Sequence, residues 1–115
     1  MSLSQGRAFE QKAKSLLIQS NYQILFENFY SYSGEIDLIA FKKNALIFVE
    51  VKYRHSSKFG HVTEMINYKK QQKIIKTAQF FLLKYPKYNQ FDLRFDLIAF
   101  ENNDKHYWIE GAFGV

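Results

Sequence analysis

Two carboxylates and a lysine stand where an apolar strand pair should carry aliphatic side chains. They lie in GEIDLIAFKKNALIFVEVKYR, residues 34–54, which reads as two strands joined by a tight polar turn at Lys43-Asn44. Side chains alternate along a strand. Leu46, Phe48, Glu50 and Lys52 therefore share one face of the second strand, and Ile47, Val49, Val51 and Tyr53 share the other. An even-length loop sets Asp37 opposite Glu50 and Glu35 opposite Lys52. An odd-length loop would send Asp37 and Glu50 to opposite faces. Like charges opposed across a sheet are destabilising, and more so in a strand apolar enough to be buried. A divalent cation between the carboxylates removes the conflict. The plainer alternative is a solvated hairpin face on which Glu35 and Lys52 form an ordinary ion pair.

The rest of the chain must position these groups. A first helix is expected over about Ser4 to Ser20, with Phe9, Ala13, Leu16 and Leu17 as its apolar stripe and Ser2 or Ser4 as cap. A strand from about Tyr22 to Tyr30 leads through a turn at Ser31–Gly34 into the charged hairpin. A basic, glycine-ended segment, Arg54 to Gly60, follows. A second helix is expected from about Asn67 to Lys84, capped by Thr63 or Asn67. It buries Ile74, Ile75, Ala78, Phe81 and Leu82 and is stopped by Pro86. Phe91 to Phe100 reads as a strand. A strand, a helix and a returning strand make a crossover, so this strand should lie parallel to the one bearing Glu50. A turn at Asn102-Asn103-Asp104 leads into a short last strand around His106 to Ile109. The order is α-β-β-β-α-β, an α/β class with a mixed sheet flanked by helices.

At 115 residues the chain has the length of one domain, residues 1–115, and 47% hydrophobic content argues against disorder. The absence of cysteine excludes disulfides and thiolate zinc sites. No run is long and apolar enough for a membrane span, so the chain reads as soluble and cytoplasmic. A net charge of +5 and a pI near 9.4 favour a polyanionic partner such as nucleic acid. Candidate phosphate contacts are Arg54, His55 and Lys58 after the charged hairpin, and Lys69, Lys70 and Lys73 early in the second helix, where residues three and four apart share a face. For any single lysine the alternative is a solvated charged face. Arg94 and Asp96 alternate with apolar residues and read as a structural pair. The three histidines form no zinc-like spacing.

The element order, an acidic residue on one strand and acidic-x-Lys on the next (Asp37, then Glu50-Val51-Lys52) resemble the restriction-endonuclease-like nucleases. The chain is more closely similar to the YraN-type family of small bacterial proteins, predicted endonucleases related to archaeal Holliday-junction resolvases. The matching stretches are Gly6-Arg7-Ala8-Phe9-Glu10 with Ala13, GEIDLIA from Gly34, FVEVKYR from Phe48, Lys69, RFDLIAF from Arg94, and Ala112-Phe113. Phe9 departs from the family, which has glycine before the acidic residue.

The resemblance implies a metal-dependent endonuclease acting on DNA, on branched or structured DNA by analogy with the resolvases, and a homodimer. Magnesium, with manganese as substitute, takes oxygen donors. Asp37 and Glu50 would supply one oxygen each and the Val51 carbonyl another. The cation activates water and neutralises phosphate charge. Lys52 would position or deprotonate the water, or stabilise the pentavalent phosphorus. Glu10 would reach in from the first helix, to water on the metal or to a second metal. Glu35 is either a ligand through water or the partner of Lys52. The resemblance also marks Lys69 for phosphate. The competing function class is a non-catalytic nucleic-acid-binding or partner-binding protein of the same fold. A third, a metal-independent RNA endonuclease using His55 or His61, has only those two residues behind it.

Overall fold

The computed structural model describes residues 3–54, 62–101 and 105–114. Helix α1 (Leu3–Gln19) precedes strands β1 (Gln23–Ser31), β2 (Gly34–Lys42) and β3 (Ala45–Tyr53). A one-turn helix α2 (Val62–Met65) then leads to α3 (Tyr68–Lys84), a short 3₁₀ turn at Pro86–Tyr88, and strands β4 (Asp92–Phe100) and β5 (His106–Phe113). The five strands form one sheet in the order β1-β2-β3-β4-β5. Only the β3–β4 step is parallel, because α3 carries the chain across the sheet between those strands. The expected α/β class, mixed sheet and parallel return are all present.

The helices divide the core between the two sheet faces. Residues Ile39, Leu46, Phe48 and Leu97 pack under Ile74, Ala78 and Phe81 of α3. On the other face Leu38, Ile47, Val49 and Ile98 pack under Ala13 and Leu17 of α1. The strict alternation of β3 produces this split, since its even and odd residues face opposite helices. Phe81 meets the rings of Phe26, Phe29 and Phe48 edge-on, with centroids 5.5, 5.2 and 5.9 Å apart, a favoured aromatic geometry.

Local chemistry explains the element ends. Asn67 caps α3, its side chain accepting from the Lys70 N–H at 2.8 Å, as a β-region N-cap does. Thr63 lies inside α2 instead. Helix α1 begins at Leu3, so Ser4 lies inside it, and Ser2 lies outside the described residues. Pro86 follows the end of α3 and opens the 3₁₀ turn. Strand β5 runs four residues further than expected, to Phe113. Its pairing with β4 is irregular between Phe95 and Leu97, which period-two reading does not foresee. The turn at residues 102–104 lies outside the described residues.

Candidate active site

The β2–β3 loop is two residues, Lys43 and Asn44, closed by the Lys42–Ala45 pair, with Lys43 at φ 55°. This even loop gives the register that directs Asp37 towards Glu50. The ladder itself stops at Leu38–Val49. On its other side, β2 pairs with β1 at Leu38 and again at Ile36, skipping Asp37. The skipped partner in β1 is Asn28, which has φ 54°. Asp37 is thus the residue around which the sheet opens. By the alternation of the ladder the Val51 N–H would next meet Ile36. It donates instead to Asp37 Oδ2 at 2.8 Å. The Val51 carbonyl lies on the same side of its strand, outside the β2–β3 ladder.

The opening forms a small cleft lined by Gly6, Phe9 and Glu10 of α1, Asp37 of β2, Glu50, Val51, Lys52 and Tyr53 of β3, and Lys70 of α3. All four residues expected to do chemistry, Glu10, Asp37, Glu50 and Lys52, line it. Glu50 is 5% exposed, and its Oε2 has no hydrogen-bond partner. Lys70 Nζ lies 3.6 Å from that oxygen, near enough for charge attraction but too far for a hydrogen bond.

The cleft is strongly acidic. Burial, then a hydrogen bond to Glu50 and the Glu50 charge, push Asp37 up to about 8, against the Val51 N–H and Lys70. Near neutral pH Asp37 therefore holds its proton beside Glu50. Glu10 is raised by burial and by Asp37, and Glu35 by burial, Asp37 and Glu10. Asn28 bridges the outer pair. With its amide nitrogen turned to the carboxylates, it donates to Glu35 Oε1 at 2.7 Å and to Glu10 Oε1 at 3.2 Å.

Glu35 does not take Lys52 as its cross-strand partner. It pairs across β1 with Tyr30 and is hydrogen-bonded by that side chain. Phe9, the departure from the family pattern, stacks on Tyr53 with centroids 4.6 Å apart and packs beside Phe100. The bulky side chain thus lies against the cleft wall, and Glu10 still lines the cleft. Of the α3 lysines, Lys70 reaches the carboxylates. Lys69 is exposed and does not line the cleft, and Lys73 lines a neighbouring one. Arg54 reaches the Glu64 carbonyl of α2 at 3.4 Å. His55, Lys58 and His61 lie outside the described residues. Arg94 and Asp96 form a bidentate pair at 2.8 Å that also engages Tyr22 and Trp108, a structural cluster as expected.

Asn28 and Tyr30 were not legible as site residues. The available signal was an asparagine inside an apolar strand, where asparagine is disfavoured and where a positive φ suits it. Among the described residues no three acidic or imidazole groups converge into a complete metal cage. Two carboxylates and one carbonyl suit magnesium, which keeps several of its waters. The orphaned Glu50 oxygen is the observation that fits such an ion.

A family profile described as "Uncharacterised protein family UPF0102" matches residues 9–100. The chain is 44% identical over 123 residues to a UPF0102 protein of Acinetobacter baumannii (strain AYE), covering 94% of this chain and 92% of the relative. It is 43% identical over 111 residues to a UPF0102 protein of Francisella tularensis subsp. novicida (strain U112), covering 96% and 94%. Among the described residues no helix is long and apolar enough to cross a membrane.

Proposed function

We propose that this chain, which belongs to the UPF0102 family, is a metal-dependent endonuclease that hydrolyses phosphodiester bonds in DNA, branched or structured DNA in particular. The observation that carries the reading is the opening of the sheet at Asp37. There burial and the neighbouring Glu50 push Asp37 up, one buried oxygen has no hydrogen-bond partner, and Lys52 and Lys70 line the same cleft. Groups placed only for stability would not be left in this state. The α-β-β-β-α-β order with one parallel step supports a restriction-endonuclease-like architecture as part of the same proposal.

Asp37, Glu50 and the Val51 carbonyl would hold magnesium, or manganese in its place. Such a cation supplies charge neutralisation at the scissile phosphate and a more acidic water. The chain's own groups do the rest. Lys52, two residues beyond Glu50 on the same face, is placed to hold a phosphate oxygen or to orient the attacking water. Glu10, steadied by Asn28 and raised by burial and by Asp37, is suited to accept a proton from a water at the α1 side of the cleft. Lys70 offsets the acidic wall where a phosphate must approach.

Labelled linear, flapped and four-way DNA incubated with magnesium, manganese or a chelator tests the reading. Cleavage is expected with either cation and none with chelator. Glu50→Gln and Lys52→Ala should each slow cleavage about a hundredfold or more while the dissociation constant stays within a few-fold of wild type. A wild-type protein that binds DNA but never cuts it would establish the non-catalytic reading instead.

A further inference from the structure

Beside the acidic cleft lies a second one, of about 420 Å³, formed by residues 30–35 of the β1–β2 turn and by Lys70, Lys73 and Ile74 of α3. Lys70 lines both clefts, so a chain of phosphates passing it would enter one from the other. The turn is a two-residue loop, Tyr32-Ser33, closed by the Ser31–Gly34 pair. It is fastened down on both flanks. Ser31 Oγ accepts from the Ser33 N–H at 3.1 Å and donates to Thr77 Oγ1 at 3.3 Å. Gly34, at φ +151°, lies so close to α3 that a Cβ there would sit 3.5 Å from Thr77 Oγ1 and 3.6 Å from the Lys73 Cβ.

On this fixed tip Tyr32 is fully exposed, at 100%, and Tyr30 beside it is 66% exposed. Tyr30 is oriented by its hydrogen bond to Glu35. The fold therefore holds two aromatic rings out in solvent, next to two exposed lysines, at the mouth of a candidate phosphodiesterase cleft. Intact duplex DNA offers such rings little, because its base faces are stacked on one another and only edges and phosphates are displayed. An unpaired nucleotide offers a free face to a ring and a phosphate to a lysine. That combination is how single strands are gripped without sequence preference.

We propose that Tyr32, with Tyr30, Lys70 and Lys73, forms a shelf on which unpaired nucleotides stack, directing the cleft to DNA with a single-stranded segment next to the scissile bond. The proposal rests on the nuclease reading for its last clause only; the shelf itself is a binding site and is testable without cleavage. Tyr32→Ala removes a ring that is fully exposed, so the fold is left intact, and Tyr32→Trp keeps an aromatic face.

Fluorescence anisotropy in chelator, with a labelled single-stranded oligonucleotide, a duplex with a single-stranded overhang and a blunt duplex, reads the shelf. Wild type should favour the first two probes over the third. Tyr32→Ala should lose about tenfold on those two, the order of one base–aromatic stack, and keep its affinity for blunt duplex. Tyr32→Trp should retain the preference, and its indole fluorescence should change with the single strand but not with blunt duplex. Equal losses on all three probes, unchanged affinity on all three, or no binding to any would each overturn the shelf. Magnesium-dependent cutting measured in parallel separates the two claims. Cutting of the overhang and blunt duplexes alike that is indifferent to Tyr32 removes the shelf and keeps hydrolysis, whereas a Tyr32-dependent preference without cutting keeps the shelf and removes hydrolysis.

Discussion

At the scale of single residues, Asp37 sets the behaviour of the metal-free protein. Its folded pKa of about 8 lies above the ordinary 3.8, so between those values the folded state holds a proton that the unfolded chain releases. Its contribution to stability is then fully present below the unfolded value and is lost as pH rises through the folded one. The melting temperature of the metal-free protein is expected to fall between about pH 5 and pH 8. Asp37→Asn should flatten that slope, and magnesium should raise the melting temperature more at pH 8 than at pH 5. A thermal-shift series over pH, with and without the cation, checks all three; a flat wild-type profile would show that Asp37 is not raised. Asn28 is the other decisive residue. Asn28→Ala forces an alanine into φ 54° and frees two carboxylates that the amide now bridges. A loss of about 2 kcal/mol is expected in urea denaturation, whereas an exposed, unbridged asparagine would cost much less.

At the scale of elements, the two halves of the sheet are stabilised differently. The β1–β3 half is tied by its ladder and then opened at Asp37. The β4–β5 half is locked by Asp96, which is 0% exposed. Its two oxygens accept from the Arg94 guanidinium, the Trp108 Nε1 at 2.9 Å and the Gly111 N–H at 3.0 Å. The Gly111 bond falls where β4 and β5 lose register, so the carboxylate replaces a ladder contact. Arg94 also meets Tyr22, between α1 and β1, and the exposed Glu110 at 3.0 Å. Asp96→Asn leaves Arg94 with only the exposed Glu110 as its anion. The cost should be roughly 3 kcal/mol, at the low end for breaking a buried pair because Arg94 keeps some solvent. Equilibrium unfolding measures it, and DNA affinity at low salt should be unchanged because neither Asp96 nor Arg94 lines the acidic cleft. A parallel loss of DNA affinity would tie this cluster to binding.

For the whole molecule, a chain of net charge +5 carries an acidic cleft bordered by lysines on α3. Attraction to phosphate therefore comes from the rim, and the centre repels it until a cation is held there. DNA affinity should fall steeply with salt, with a slope of log K against log salt of about −3 if three or four phosphates are met. Lys73→Ala should reduce that slope by about one without creating any base preference. A salt titration of wild type and variant reads both numbers, and salt-independent binding would point to a protein partner instead.

The alternation of apolar residues in β2 and β3 and the helical stripes of α1 and α3 were enough to derive the element order and the parallel β4, and they made the meeting of Asp37 with Glu50 depend on an even loop at Lys43-Asn44, which the structure has. These are consequences of local periodicity, which a sequence displays directly. The convergence of Glu10 was legible only through family resemblance, because helix packing over a sheet is not encoded in local spacing. Tertiary structure alone decided where the ladder stops. The positive φ of Asn28 and the diversion of the Val51 N–H to Asp37 break pairing on both sides of one residue. Tertiary packing also sets Glu35 against Tyr30 rather than Lys52 and brings Lys70, not Lys69, near Glu50. Each of these outcomes depends on how distant segments compete for the same hydrogen-bonding group, and no pattern within one segment records that competition.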